Sequence, residues 1–218
     1  MADSVTGTEE VRLYANVAYD PRIWLEIPTY FGPETWASPQ EWAAEVAPEF
    51  WDGRVPDRQG IPRLEAIFTH YARECGGTDP DLPFEVVAYL HVPDPSQFPM
   101  LVQVWIDTTP GLTVEQAVQA KDPTTVEPPL VTPFSSEHLG AGLRALLYCT
   151  FVPDPGIESD GLTASVRYAF SIPEQEAVLT VVTVEPDLGR LMQSMDDLDE
   201  FVRQVRWGFE PECLARVP

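Results

Sequence analysis

The tetrapeptide Val-Pro-Asp-Pro occurs twice, at residues 92–95 and 152–155, each time between two segments whose apolar residues recur with a period of two. That period is typical of β-strands. Proline has a fixed φ and no backbone N–H, so Pro-x-Pro ends a strand, and an aspartate between prolines can bond the nearby backbone. Both copies are therefore predicted to be turns between antiparallel strands. A ligand loop built on Asp94 or Asp154 is the alternative.

Six strands and one short helix are predicted between Phe84 and Val184. The segment 177–184 is apolar on both faces, which is typical of a central strand that is covered twice. Pro133 interrupts another segment, so that strand is placed at an edge of the sheet. A domain duplication is disfavoured because the segments after the two Val-Pro-Asp-Pro copies differ. The predicted strands are residues 84–92, 100–107, 129–134, 143–152, 162–172 and 177–184, and the helix is residues 113–120, capped by Thr113 and Gln116.

The N-terminal part predicts a hairpin followed by two helices. Residues 11–19 alternate between apolar and polar, residues 22–28 form a second strand, and Asp20-Pro21 provides the turn between them. Ser38 and Glu41 then form a Ser-x-x-Glu capping box that begins a helix. This helix is expected to kink or stop near Ala47, because Pro48 cannot donate its backbone bond. The second helix is predicted at 62–75, with Gly76 as its C-terminal cap.

The chain closes with two predicted helices. Leu188, Leu191, Met192 and Met195 form one apolar stripe, and Asp197 and Glu200 cap the next helix, whose inward residues include Phe201 and Val205. The full order lacks the regular alternation of strand and helix that builds a doubly wound parallel sheet. The sequence therefore predicts a single α+β domain over residues 1–218, with a mainly antiparallel β-sheet covered by helices.

This pattern resembles the PsbP-like α-β-α sandwich, including actinobacterial proteins of the LpqN type. Four features carry the resemblance: the N-terminal hairpin, the helix at 113–120 between strands, the strand pair at 162–172 and 177–184, and the closing helix "DDLDEFVRQVRW". The resemblance implies the fold over roughly the whole chain. The two helices between Ser38 and Cys75 depart from the compact family pattern. No functional residue of the family is carried over, because fold alone does not define a function.

Charge narrows the classes of partner. Thirteen basic residues stand against 35 acidic ones, a formal net charge of −22. Such a chain repels nucleic acid and anionic membranes, and it favours a basic protein as partner. The favoured interpretation is that acidity is a general surface trait of a GC-rich, actinobacterial type of sequence, in which Lys121 is the only lysine, and an evolved docking face is the alternative.

Cysteine usage and the N-terminal segment favour a cytoplasmic protein. Cys75, Cys149 and Cys213 are widely separated and odd in number, which indicates reduced thiols. The N-terminal residues lack the basic start and apolar core of a signal peptide. No apolar run approaches the length of a membrane-spanning helix.

Candidate chemistry is sparse, and we predict neither a cofactor nor a metal. His70 and Glu74 share a helix edge beside Cys75, but a zinc site would need a further ligand. His91 alternates with apolar neighbours on a strand and is expected to pack against aromatic side chains. The segment "LGAGLR" at 139–144 is read as a turn and not as a dinucleotide-binding loop. The acidic run "MDDLDE" at 195–200 is explained by helix capping.

An unusual density of aromatic residues lies early in the chain. The segment "IPTYFGPETW" has too much proline and glycine for a regular element. Aromatic residues in such a loop can mark a binding surface. The candidate partner or ligand-binding residues are therefore Tyr30, Phe31, Trp36 and Trp42. The favoured interpretation of the segment is a lid that seals the edge of the sheet, and a partner site or a small apolar ligand pocket is the alternative.

Three functions remain open. The leading hypothesis is a non-catalytic interaction protein, such as an adaptor, a chaperone or an immunity-type inhibitor. The second is a small-molecule binding domain with a pocket lined by Trp42, Phe68 or Tyr71. The third is an enzyme whose site is assembled from dispersed residues, for which the candidates are His138, Arg144 and Cys149.

Overall fold

The computed structural model describes residues 13–55, 58–75, 86–119, 125–150 and 162–209. Nine strands and five α-helices occupy these ranges, with short 3-10 turns at Arg58–Gly60 and Pro173–Gln175. The strands are β1 (Leu13–Val17), β2 (Trp24–Ile27), β3 (Val86–His91), β4 (Met100–Asp107), β5 (Leu130–Ser136), β6 (Gly140–Thr150), β7 (Leu162–Ile172), β8 (Ala177–Glu185) and β9 (Val205–Phe209). The helices are α1 (Pro39–Trp51), α2 (Ile61–Cys75), α3 (Val114–Val118), α4 (Leu188–Gln193) and α5 (Met195–Arg203).

Seven strands form one antiparallel sheet in the order β2-β3-β4-β8-β7-β6-β5, and β1 and β9 form a separate two-stranded sheet. Every neighbouring pair in both sheets is antiparallel. The predicted class is confirmed: the fold is α+β, with a mainly antiparallel sheet covered by helices. Strand β8 is central and almost entirely buried, and β5, which contains Pro133, is an edge strand, as predicted.

The first Val-Pro-Asp-Pro copy is a turn between antiparallel strands. It follows β3, and β4 returns beside it with His91 opposite Met100. The Asp94 carboxylate accepts bonds from the Ser96 amide (2.9 Å), the Ser96 hydroxyl (2.7 Å) and the Gln97 side-chain amide (2.9 Å). The bonds from Ser96 are the main reason that the pKa of Asp94 lies below its usual value. Asp94 therefore shapes the turn, which confirms the prediction for this copy; the copy at 152–155 lies outside the described residues.

The predicted N-terminal hairpin is wrong. Strand β1 pairs with β9, and β2 pairs with β3 at the edge of the large sheet. Between β1 and β2, the amides of Ile23 and Trp24 both donate to the Asp20 carbonyl, at 3.1 and 3.0 Å. This helical turn takes the place of the tight reversal that a hairpin requires. Both segments are strands, as their alternation predicts, but their partners are distant in sequence.

The closing helix is shorter than predicted. Helix α5 ends at Arg203, and the residues from Val205 onward form β9. The apolar positions of the helix continue in step to Val205, which hides the boundary. From there Val205, Trp207 and Phe209 recur with the period of a strand.

Helix α1 passes through Pro48 without ending. Glu41 donates its amide to the Ser38 hydroxyl (3.2 Å), and the Asp52 amide bonds the Pro48 carbonyl (2.8 Å) at the other end. The bond that Pro48 cannot make would go to the carbonyl of Ala44, which is exposed. Water can satisfy that carbonyl, so the expected stop near Ala47 does not occur.

Helices cover both faces of the large sheet. One face carries the main core, in which α4, α5 and the β1–β9 pair pack on side chains such as Tyr89, Val166 and Leu179. The other face is covered in two places. Helices α1 and α2 pack over the β2–β3 side, while α3 packs over β6, β7 and β8. The N-terminal aromatic segment lies at the α1–α2 side.

Candidate functional site

The aromatic segment before α1 folds against the solvent-facing side of that helix. The Gly32 amide donates to the Trp36 carbonyl (2.8 Å), which closes the loop. A Cβ at Gly32 would overlap the ring of Tyr30, so this ring lies directly over the loop backbone. The Trp36 indole N–H donates to a carboxylate oxygen of Glu45 (2.9 Å). The loop therefore holds aromatic rings beside a helix with a row of carboxylates.

The row of carboxylates follows from the helical period. Glu41, Glu45 and Glu49 are four residues apart and exposed on α1. Glu41 also accepts a bond from the Ala37 amide (2.7 Å), one residue before the Ser38 cap, and so fixes the loop to the helix. We call the surface formed by Tyr30, Trp36, Glu41, Glu45 and Glu49 the acidic–aromatic face. It presents negative charge next to aromatic rings.

The four candidate aromatic residues differ in how far they are buried. Tyr30 is 67% exposed, and Trp36 and Phe31 are half-buried against the α1–α2 core. Trp42 is 1% exposed, and its ring packs 5.9 Å from that of Phe68. Trp42 therefore contributes to the core and not to the surface of this face. Its position between glutamates in sequence gives no sign of this, but its spacing of four from Val46 and eight from Phe50 does.

The candidate catalytic residues do not come together. His138 lies in the turn before β6, where its Nε2 is 3.1 Å from the Arg206 guanidinium. Cys149 lies near the other end of β6, about 30 Å away at the rise of a strand. Arg144 lies on the opposite face of the sheet from Cys149, since it bonds α5 while Cys149 packs with α3. The dispersed-residue enzyme site is not assembled by this geometry.

The candidate zinc ligands on α2 differ in their exposure to solvent. His70 and Glu74 are exposed, while Cys75 is half-buried. Burial, followed by the charge of Glu74, raises the pKa of the Cys75 thiol, which keeps it protonated and less reactive. Among the described residues, no group of three or more His, Cys, Asp or Glu side chains is arranged to hold a metal ion.

Two polar contacts with a buried partner were not predicted from the sequence. His91 stacks on Trp24, with ring centroids 4.5 Å apart, as its strand position suggested. Its Nε2 is also 3.0 Å from the Asp197 carboxylate, 106 residues away. Burial is the largest influence on His91 and lowers its pKa, against the opposing effect of Asp197. With its side chain 1% exposed, His91 positions α5 and cannot reach a substrate.

The second contact joins the end of β8 to α4. Arg190 lies 2.5 Å from both carboxylate oxygens of Glu185 and also donates to the Phe98 carbonyl. Glu185 accepts a further bond from the Asp187 amide (3.0 Å). The Glu185 side chain is 2% exposed, so the arginine compensates a charge that water does not reach. No local sequence motif predicts the Glu185–Arg190 ion pair, because its two residues belong to different elements, β8 and α4.

A third polar contact fastens α5 to β6 and β7. Asp199 accepts bonds from the Tyr168 hydroxyl (2.6 Å) and from the Arg144 guanidinium (2.8 and 3.1 Å). Burial and the bond to Asp199 raise the pKa of Tyr168, so the hydroxyl remains a proton donor. The Asp199 carboxylate has its hydrogen-bond partners within the protein, and these bonds hold α5 against β6 and β7.

No protein-family model, no curated protein and no solved structure matched the chain, so the comparisons assign neither a family nor a function. No helix in the described ranges combines the length and apolar character needed to cross a bilayer. The acidic–aromatic face is thus the surface on which the sequence candidates and the geometry agree best.

Proposed function

We propose that this protein is a non-catalytic interaction module, of the adaptor, chaperone or immunity-inhibitor type, that binds a basic protein through the acidic–aromatic face. The observation that carries the proposal is the bond between the Trp36 indole and Glu45. It holds an aromatic ring and a carboxylate together at the surface, next to exposed Tyr30.

The chemistry of this face suits lysine and arginine side chains. A carboxylate attracts the cation, and the face of an aromatic ring stabilises it further once water is excluded. Tyrosine and tryptophan contribute a large contact area for little loss of conformational entropy. The net charge of −22 steers a basic partner toward the molecule and disfavours nucleic acid and anionic membranes. We also propose a reducing, cytoplasmic location, since Cys75 and Cys149 are free thiols.

The test captures partners on the immobilised full-length chain and elutes them with increasing salt. We expect a basic protein to be retained at about 50 mM salt and released well before about 500 mM, because screening weakens exposed charge contacts. Tyr30→Ala and Glu45→Gln variants should lose that protein.

Matched controls change an exposed carboxylate and an exposed apolar side chain elsewhere. Glu174→Gln removes an exposed carboxylate, and Leu130→Ala shortens an exposed apolar side chain on β5. Both should retain the partner. The proposal is wrong if the captured protein elutes independently of salt, or if the face variants and the controls behave alike.

A further inference from the structure

A groove of about 220 Å³ lies between the start of α2 and the β3–β4 turn, on a different surface from the acidic–aromatic face. Trp51, Leu64 and Ile67 give it an apolar floor, and Pro95 and Gln97 of the turn form one wall. Arg63 lies along its border. We call this space the α2 groove. It is separate from the interior between α1, α2 and the sheet, which Trp42 and Phe68 fill.

Gly60 keeps the aromatic floor in place. This glycine immediately precedes α2, and a Cβ there would overlap the ring of Trp51. Any other residue would force the indole to shift. Trp51 and Ile67 line the same small space, and together they form an apolar surface that an aromatic ring fills well.

The α2 groove carries a positive charge, although the net charge of the chain is strongly negative. The residues that line it include Arg63 and no carboxylate, in a chain with 35 acidic and 13 basic residues. The Arg63 guanidinium lies over the Phe98 ring, 4.9 Å from its centroid. Within the described ranges, no carboxylate lies within ion-pair distance of it, whereas Arg22, Arg58 and Arg190 each have one. Arg63 is therefore available to an anion.

The size of the groove limits the ligand. Sites for drug-sized molecules usually occupy roughly 300–1,000 Å³, so this groove suits one or two rings. We propose that the α2 groove binds a small aromatic carboxylate, with its ring against Trp51 and Ile67 and its carboxylate on Arg63. Arginine suits this role because its planar guanidinium pairs with a carboxylate through two parallel bonds.

The first test compares two probes with the same ring and opposite charge. The ¹⁵N-labelled full chain is titrated with 2-naphthoate and with 2-naphthylmethylammonium, each up to about 10 mM, which detects binding in the millimolar range. We expect 2-naphthoate to shift the resonances of the Trp51 indole N–H, the Gln97 side-chain amide and the backbone amides of residues 63–67 in a saturable way. The cation should leave them unchanged.

Variants then test separately the part of the groove that binds the carboxylate and the part that binds the ring. Arg63→Gln should weaken 2-naphthoate binding about three- to fivefold, the range expected for a partly exposed ion pair. Ile67→Trp should fill the groove and abolish the shifts. Arg73→Gln, on the same helix and outside the groove, should bind as the wild type does. If Ile67→Trp does not fold, the Arg63 variant and the pair of probes still decide the matter.

A third probe distinguishes a free ligand from a protein segment with the same chemistry. The peptide N-acetyl-Asp-Phe-amide carries a carboxylate beside an aromatic ring. Tighter binding of this peptide than of 2-naphthoate would show that the groove docks a protein and would overturn the proposal. Equal shifts with the cationic probe, no shifts with 2-naphthoate, or unchanged affinity in Arg63→Gln would overturn it as well. None of these results depends on Tyr30 or Glu45, so the proposed function stands or fails separately.

Discussion

His91 lies between the ring of Trp24 and the carboxylate of Asp197, almost out of contact with water. The rings continue into the core, because Trp24 also stacks on Phe201 of α5, with centroids 4.2 Å apart. Arg190 is a further positive charge that disfavours protonation of His91. Burial and Arg190 therefore favour the neutral imidazole, whereas Asp197 favours the protonated form.

We predict that the protein loses stability below about pH 6.5 through His91. Burial lowers the pKa of His91 below its usual value of 6.5, so below that pH the unfolded chain binds a proton that the folded chain resists. The stabilisation is complete above pH 6.5 and declines as the pH falls toward the lowered value. Urea unfolding between about pH 8 and pH 5 measures the slope.

The control for this prediction is an exposed histidine. His91→Gln should flatten the decline between about pH 6.5 and pH 5, whereas His70→Gln should keep the wild-type slope. A wild-type slope in His91→Gln would contradict the assignment.

The Glu185–Arg190 pair gives a second prediction at this scale. Arg190→Ala leaves the buried Glu185 carboxylate without its cation and should lower the free energy of unfolding by about 3 kcal/mol. The double variant Glu185→Leu/Arg190→Leu should recover most of the loss, since no charge is left buried. Urea denaturation measures both. Arg58→Ala, which breaks the exposed pair with Asp52, should have a much smaller effect, and an equal loss in that variant would refute the argument.

Individual strands of this chain were predictable because their periodicity is local. Strands β3, β4, β6, β7 and β8 lie within the predicted segments to within a few residues. The pairing of β1 was not predictable, since its partner, β9, lies almost 200 residues later. The apolar spacing of α5 also continues to Val205, so the sequence does not show that a strand begins there. At the candidate site the sequence identified the aromatic segment, and the packing of Trp42 against Phe68 confirms the internal position that its helical spacing indicates.

The β1–β9 pairing can be tested by hydrogen exchange. Trp207→Pro removes a backbone donor and obstructs the neighbouring strand, so we expect protection to be lost together in 13–17 and 205–209 while α5 stays protected. Leu130→Pro, at the start of edge strand β5, is the matched control and should have little effect, since that strand already contains Pro133. Loss of protection in α5 alone would instead support the longer closing helix.

At the scale of the whole molecule, one sheet divides the described part of the chain into two apolar layers. Polar contacts fasten the helices of the main core, whereas α1 and α2 pack almost entirely through apolar side chains. The single-domain organisation over residues 1–218 and the resemblance to the PsbP-like sandwich remain predictions. Two of the four features behind that resemblance, the hairpin and the length of the closing helix, differ in the structure.

We predict that salt stabilises the folded protein. The 35 acidic residues outnumber the 13 basic ones, so the excess negative charges repel one another in the compact state, and screening weakens this repulsion. The melting temperature should rise between about 20 mM and about 500 mM sodium chloride. A Glu41→Gln/Glu45→Gln/Glu49→Gln variant should show a smaller rise. A fall in melting temperature with salt would show that attractive ion pairs dominate.

The pairing of Leu13 with Phe209 has a practical consequence. Opposed residues in an antiparallel ladder have Cα atoms about 5 Å apart, so a fluorescent protein or affinity tag attached ahead of β1 begins beside one attached after β9. A short linker that joins Leu13 to Phe209 would allow the chain to be reopened at another loop, with every strand keeping its neighbour.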